Sequence, residues 1–133
     1  MKKMTKISGV TLAVALMLSL NSCYNDKVID KEIEANVSFS ADIQPILDNN
    51  CVSCHSVGAV NQVPYWTADD SYDTVLDLIE EGGIVPFDAA GSELMEMLNY
   101  DENSNNPMPP EGKMAAINIS LFEAWINQGA LNN

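Results

Sequence analysis

Arginine is absent from this chain of 133 residues, and histidine occurs once, as His55. All six basic residues are lysines, set against 19 Asp and Glu, for a formal net charge of −13. Such a field repels phosphate backbones and anionic headgroups, so nucleic acid is excluded as a partner and a basic partner face is favoured. With a single histidine there is no second imidazole for a proton relay. No nucleophile stands beside a base and no Gly-rich phosphate loop follows a strand, so nothing points to an enzyme. Long apolar runs are also missing: the longest, residues 7–20, has 14 residues, short of the roughly 20 that a membrane span needs. The length itself suits one compact domain and not two.

What is present begins with export. Lys2, Lys3 and Lys6 precede the apolar run, and Asn21, Ser22 and Cys23 follow it, in the order of a secretory signal over residues 1–22. Leu20-Asn21-Ser22-Cys23 resembles a bacterial lipobox, in which Cys23 becomes the lipidated first residue. Ordinary cleavage with Cys23 left as a free thiol is the alternative. Lipidation accounts for the odd cysteine, because the other two, Cys51 and Cys54, belong to one motif. Acyl chains contribute about 0.8 kcal/mol per buried methylene, enough to hold a protein at a membrane without a spanning helix. Removal of the signal leaves 3 Lys against 19 acids, a charge of −16. Residues 23–38 are charged and lack apolar periodicity, which reads as a tether of up to roughly 50 Å ahead of a domain at 39–133.

Within that domain, periodicity and capping signals predict four helices and no strands, a mainly α fold. The first covers residues 42–54, capped by Ser40 or Asp42, with Pro45 in its first turn and Ile43, Ile46 and Leu47 on one face. The second follows Ser71, presents Tyr72, Val75, Leu76 and Ile79, and stops at Gly82-Gly83. The third starts at Ser92 with Leu94, Met95 and Leu98 inward. The fourth opens at Ser120 and Glu123, in capping-box spacing, and closes at Gly129.

Cys51-Val52-Ser53-Cys54-His55 fits covalent attachment of haem c, the two thiols reaching the haem vinyl groups and the adjacent imidazole reaching iron. On a helical turn, positions i and i+3 share a face and i+4 projects alongside them. Cys-x-x-Cys also serves zinc and thiol redox chemistry. A thioredoxin-like role would need a preceding strand, and a zinc site would need a fourth donor from carboxylates. Export favours haem.

One histidine excludes bis-histidine ligation within the chain. Met95, Met97, Met108 and Met114 are the methionines of the domain, and core filling is the ordinary role of such a side chain. Met95 lies on an apolar helical face, and Met97 and Met114 have no distinguishing context. Met108 sits in Asn106-Pro107-Met108-Pro109-Pro110, a stiff segment that cannot be regular helix or sheet, and is the expected second axial ligand. A thioether favours reduced iron and suits an electron carrier.

The combination resembles the c-type cytochrome domains often called planctomycete-type, within the class I cytochrome c group. The likeness runs over residues 42–130: Ile43-Gln44-Pro45-Ile46-Leu47 before the attachment motif, Ser92-Glu93-Leu94 with Leu98, Met108-Pro109-Pro110-Glu111-Gly112-Lys113, and Trp125-Ile126-Asn127-Gln128-Gly129-Ala130. It implies a small class I cytochrome c fold, about four helices around one covalent haem, with Cys51, Cys54, His55 and Met108 as the haem-binding residues and His55 and Met108 as the metal ligands. It also suggests that a carbonyl near Pro64 accepts the His55 ring N–H, tuning the iron. The lack of arginine leaves backbone N–H groups, Tyr65, Trp66 or Lys113 for the propionates.

The expected function is electron transfer in the bacterial cell envelope, by a lipid-anchored protein facing the periplasm and exchanging electrons with redox partner proteins that carry a basic docking face. The alternatives are a haem subunit or module of an exported dehydrogenase, and a ligand-binding or peroxidase-like haem protein.

Overall fold

The computed structural model describes residues 36–133 except 62, 102, 103 and 105. The signal, the lipobox with Cys23 and most of the tether lie outside the described residues. Among these residues the protein is helical, without strands. None of the helices is long and apolar enough to cross a membrane.

The chain enters through a π-helical turn, Phe39–Ile43, that runs directly into α1, Gln44–Asn50. Ser38 caps it: its Oγ accepts the Ala41 N–H, while its own N–H donates to Asp42 Oδ2 at 2.8 Å. This reciprocal cap replaces the expected Ser40 or Asp42. The Gln44 N–H reaches back to the Phe39 carbonyl. Widening the turn accommodates Pro45, which has no N–H to donate and whose ring would crowd the carbonyl four residues earlier. Packing starts at Val37, which is buried and whose N–H donates to Gln128 Oε1 at 2.8 Å.

α2, Ser71–Glu81, ends at Gly82, whose φ of 83° places it in the left-handed region that terminates helices. Its buried positions are Ser71, Thr74 and Val75, whereas Leu76 turns out to solvent. α3, Glu93–Asn99, starts after Ser92 and buries Met95 and Leu98. α4, Ala116–Asn127, begins four residues ahead of the expected Ser120, after Ala115. Ile119 is the cause: it continues the buried stripe of Phe122, Trp125 and Ile126 one turn backward.

α4 packs against both α3 and the π-helical turn. Trp125 is the hub. Phe39 lies 5.4 Å from it and Phe122 6.4 Å, centroid to centroid, while Tyr72 meets Phe39 edge-on at 5.1 Å. Full burial of each such side chain contributes about 1.5 to 3 kcal/mol. The indole N–H donates to the Leu131 carbonyl at 2.9 Å and the Tyr72 hydroxyl to that of Ala130 at 2.9 Å, so the C-terminal residues fold back over α4. Gly129 makes this return possible. Its φ is 105°, and a Cβ there would stand 2.7 Å from Phe87 Cζ.

Candidate functional site

At the C-terminal end of α1 the helical bonding pattern persists beyond the helix proper. The Cys51 N–H donates to Leu47 at 2.8 Å, the Cys54 N–H to Cys51 at 3.0 Å and the His55 N–H to Cys51 at 2.9 Å. The motif is therefore wound as one more turn, which sets Cys51, Cys54 and His55 on a common side. The following loop is tied back to it: the Asn61 N–H donates to the Cys54 carbonyl at 3.1 Å and the Trp66 N–H to the His55 carbonyl at 3.0 Å.

A buried polar chain holds this loop from below. The Ser71 hydroxyl donates to Gln44 Oε1 at 2.5 Å, and Gln44 Nε2 donates to the Trp66 carbonyl at 3.1 Å and to Asp48 Oδ1 at 2.8 Å. The Thr74 hydroxyl takes the Tyr65 carbonyl at 2.7 Å. α1 and α2 are thus joined through the segment that carries Trp66.

The segment with Met108 is fixed from the other direction. The Met108 N–H donates to the Met97 carbonyl at 3.1 Å, Tyr100 gives its hydroxyl to the Pro109 carbonyl, and Lys113 Nζ donates to the Asn99 carbonyl at 2.7 Å. α3 and the residue that ends it, Tyr100, anchor all three contacts. The Val63–Pro64 and Met108–Pro109 peptide bonds are cis.

Between the two supports lies a cavity of about 440 Å³ whose walls include Cys51, Cys54, His55 and Met108. Its size falls within the roughly 300 to 1,000 Å³ usual for ligand and cofactor sites. Leu47, Trp66, Leu78, Leu94, Leu98 and Phe122 supply an apolar lining. Asn50, Asn61, Asn106, Glu93 and Glu111 supply the polar part. Met97 also lines it, from α3, although its sequence context did not set it apart. Met95 and Met114 are buried elsewhere in the core.

His55 Nδ1 is buried and has no hydrogen-bond partner. The contact expected from a carbonyl near Pro64 is not made; the loop binds the His55 backbone through Trp66 instead. A buried polar atom without a partner costs about 1 to 3 kcal/mol, so an imidazole in this position is suited to meeting something brought in from outside the chain. Among the proposed propionate partners, Trp66 lines the cavity, while Lys113 is exposed and engaged with Asn99.

Cys51 and Cys54 are not joined to each other. Burial, reinforced by the neighbouring Cys54, pushes the Cys51 thiol up from 9.0 to about 11. That direction opposes thiol redox chemistry, in which Cys-x-x-Cys thiols are acidified at helix N-termini; here the pair follows a helix C-terminus, the negative end of the dipole. Nor do three His, Cys, Asp or Glu side chains gather into a metal-holding group among the described residues, whereas tetrahedral zinc takes four donors. The arrangement can enclose a large apolar group, tie it through two thiols, and offer it one imidazole and a thioether from a separate segment.

No protein-family model, curated protein or solved structure matches the chain.

Proposed function

We propose that the protein is an exported, membrane-anchored electron carrier that binds one haem c. One observation carries the reading: a single apolar cavity gathers Cys51, Cys54, His55 and Met108, and the buried His55 Nδ1 has no protein partner there. Cys51 and Cys54 would hold the group as thioethers, and His55 and Met108 would be its axial donors. When bound, haem supplies an iron that accepts and releases one electron.

The chain's own residues do the rest. Leu47, Trp66, Leu78, Leu94, Leu98 and Phe122 keep water from the site and lower its local dielectric. The turn that follows α1 carries the thiols and the imidazole, α3 anchors the thioether loop, and the Ser71–Gln44–Trp66 chain fixes the loop behind His55. With His55 and Met108 both holding the iron, no position would be left for a substrate, which would favour electron exchange over substrate chemistry. The anchor of this proposal is Cys23, with the protein facing the periplasm.

The deciding experiment is the intact mass of the protein expressed with export and haem maturation. One added haem that survives acid–acetone extraction is expected; a chain that emerges without covalent haem refutes the proposal.

A further inference from the structure

Phe87 is 73% exposed, yet the backbone makes two concessions to hold it. Its φ is 67°, in the left-handed region that a bulky side chain seldom enters, and a Cβ at residue 129 would stand 2.7 Å from its ring, so glycine is required there. The Phe87 N–H is fixed to the Ile126 carbonyl at 2.9 Å. Leu131, 54% exposed, is held in a similar way: its carbonyl takes the Trp125 indole N–H at 2.9 Å, and Ala130 before it has a φ of 52°. Apolar side chains kept in solvent add little to the core. Held on an ordered backbone, they cost little further entropy to cover, which suits a contact surface.

Both side chains belong to the C-terminal turn that also receives the start of the domain. The Val37 N–H donates to Gln128 Oε1 at 2.8 Å and the Ser40 N–H to the Asn133 carbonyl at 3.0 Å. Residues 82–87 and 124–133 carry no charge, in a chain of which 19% is Asp, Glu, Lys or Arg. The acid that follows Phe87, Asp88, accepts the Gly91 N–H at 3.0 Å.

We infer that Phe87 and Leu131 form a membrane-contacting surface that enters a zwitterionic phospholipid interface. The inference rests on the reading of Cys23 as a lipid anchor. The point where the anchored chain reaches the domain selects this occupant. Residues 24–35 join Cys23 to Asn36, one position before Val37, so that chain arrives at the turn that carries both side chains. Acyl chains supply the main attachment, and an apolar patch beside them adds affinity through its own buried area. A basic protein meets no carboxylate in the two uncharged stretches, and a second copy would bring together two chains each at −13. The consequence is orientation: the domain is held by this face instead of swinging on its tether.

The test is photo-crosslinking of the acylated, haem-loaded full chain in phosphatidylcholine vesicles, with photoreactive benzoylphenylalanine in place of Phe87, Leu131 or Ile117. Ile117 is 59% exposed near the other end of α4, roughly 15 Å from Asn127 along the helix axis. An interfacial apolar face sinks only about 5 to 10 Å, so lipid adducts at positions 87 and 131 should exceed those at 117 by about fivefold or more. The surface is overturned if either position forms no more lipid adduct than 117. Cross-links from position 87 to a second copy of the chain in place of lipid would assign the surface to self-association and also overturn the inference. Intact mass separates the two levels: an acylated chain without these adducts removes only the contact surface, whereas a chain without acyl groups removes the anchor reading and this inference with it.

Discussion

The backbone N–H of Met108 donates to the carbonyl of Met97 at 3.1 Å, and both residues belong to the wall of one cavity. The hydrogen bond sets a rigid proline-flanked loop on the last turn of α3 and brings two thioethers near the attachment motif. Only one of them stands on a segment free of helical constraint, and that one is the proposed ligand.

Met108→Ala should therefore leave haem attached, lower the reduction potential, and open the iron to exogenous ligands such as cyanide or imidazole. Met97→Ala should keep the far-red methionine-to-iron absorption band that Met108→Ala loses. Optical titration of the two variants checks both statements, and loss of the band in Met97→Ala alone would transfer the ligand role.

Ser71 and Gln44 yield a prediction about stability. Ser71 is fully buried, and its hydroxyl meets Gln44 Oε1 at 2.5 Å. Ser71→Ala leaves that oxygen without its donor in the interior, which costs about 1 to 3 kcal/mol. Urea denaturation measures the loss. Because Gln44 Nε2 holds the Trp66 carbonyl, the variant should also shift the potential, a change that a purely structural role would not produce.

Much of this arrangement is legible in the sequence, and the parts that are not share a cause. Gly82 ends α2 where a left-handed residue is expected, and Ser92 stands just before α3, although its hydroxyl bonds the Val85 N–H and the Asp88 carbonyl instead of capping the helix. Ser38 escaped notice because a π-helical turn shifts its acidic partner from the third to the fourth following residue, Asp42. Ser120 and Glu123 have the spacing of a helix start yet lie inside α4, since Ile119 gains more from joining the buried stripe than the turn would gain from a side-chain cap. Within the site, the attachment motif and the Met108 loop are local signals. Met97 and the apolar wall are not, for periodicity marks a residue as inward without saying which inward residues will meet.

The Cys51 thiol carries a pH prediction for the haem-free chain. Its folded-state value, about 11, lies above the ordinary 9.0. The folded protein thus holds this proton more tightly than the unfolded chain. The associated stability is complete below about pH 9 and is lost as pH rises toward 11. Alkylation of Cys51 by iodoacetamide, located by peptide mass spectrometry, should be slow at neutral pH and accelerate through that window. Rapid modification at pH 7 would contradict it.

Cys23→Ser tests the anchor separately from the haem. The variant should appear in the soluble fraction of the envelope with an unaltered haem spectrum, because Cys23 lies 28 positions ahead of Cys51 in the sequence. If it still sediments with membranes, lipidation is not what retains the protein.

Tyr100 offers the most selective probe of the thioether loop. Its hydroxyl donates to the Pro109 carbonyl, directly after Met108, while its backbone N–H bonds back to Met97 at 3.3 Å. Tyr100→Phe removes the hydroxyl contact and retains the bond from the Met108 N–H to the Met97 carbonyl, so the loop stays on α3 with one support fewer. The expected loss of stability is about 0.5 to 1.5 kcal/mol, the net worth of an ordinary hydrogen bond. The functional effect should exceed that figure's modest promise. If Met108 holds the iron as proposed, cyanide should bind the oxidised protein faster, since a ligand would enter only when Met108 leaves, while the reduced protein, in which thioether ligation would be stronger, should change less. Stopped-flow measurement of cyanide binding to both oxidation states distinguishes this from general loosening, which would accelerate Trp66 and Met108 variants alike.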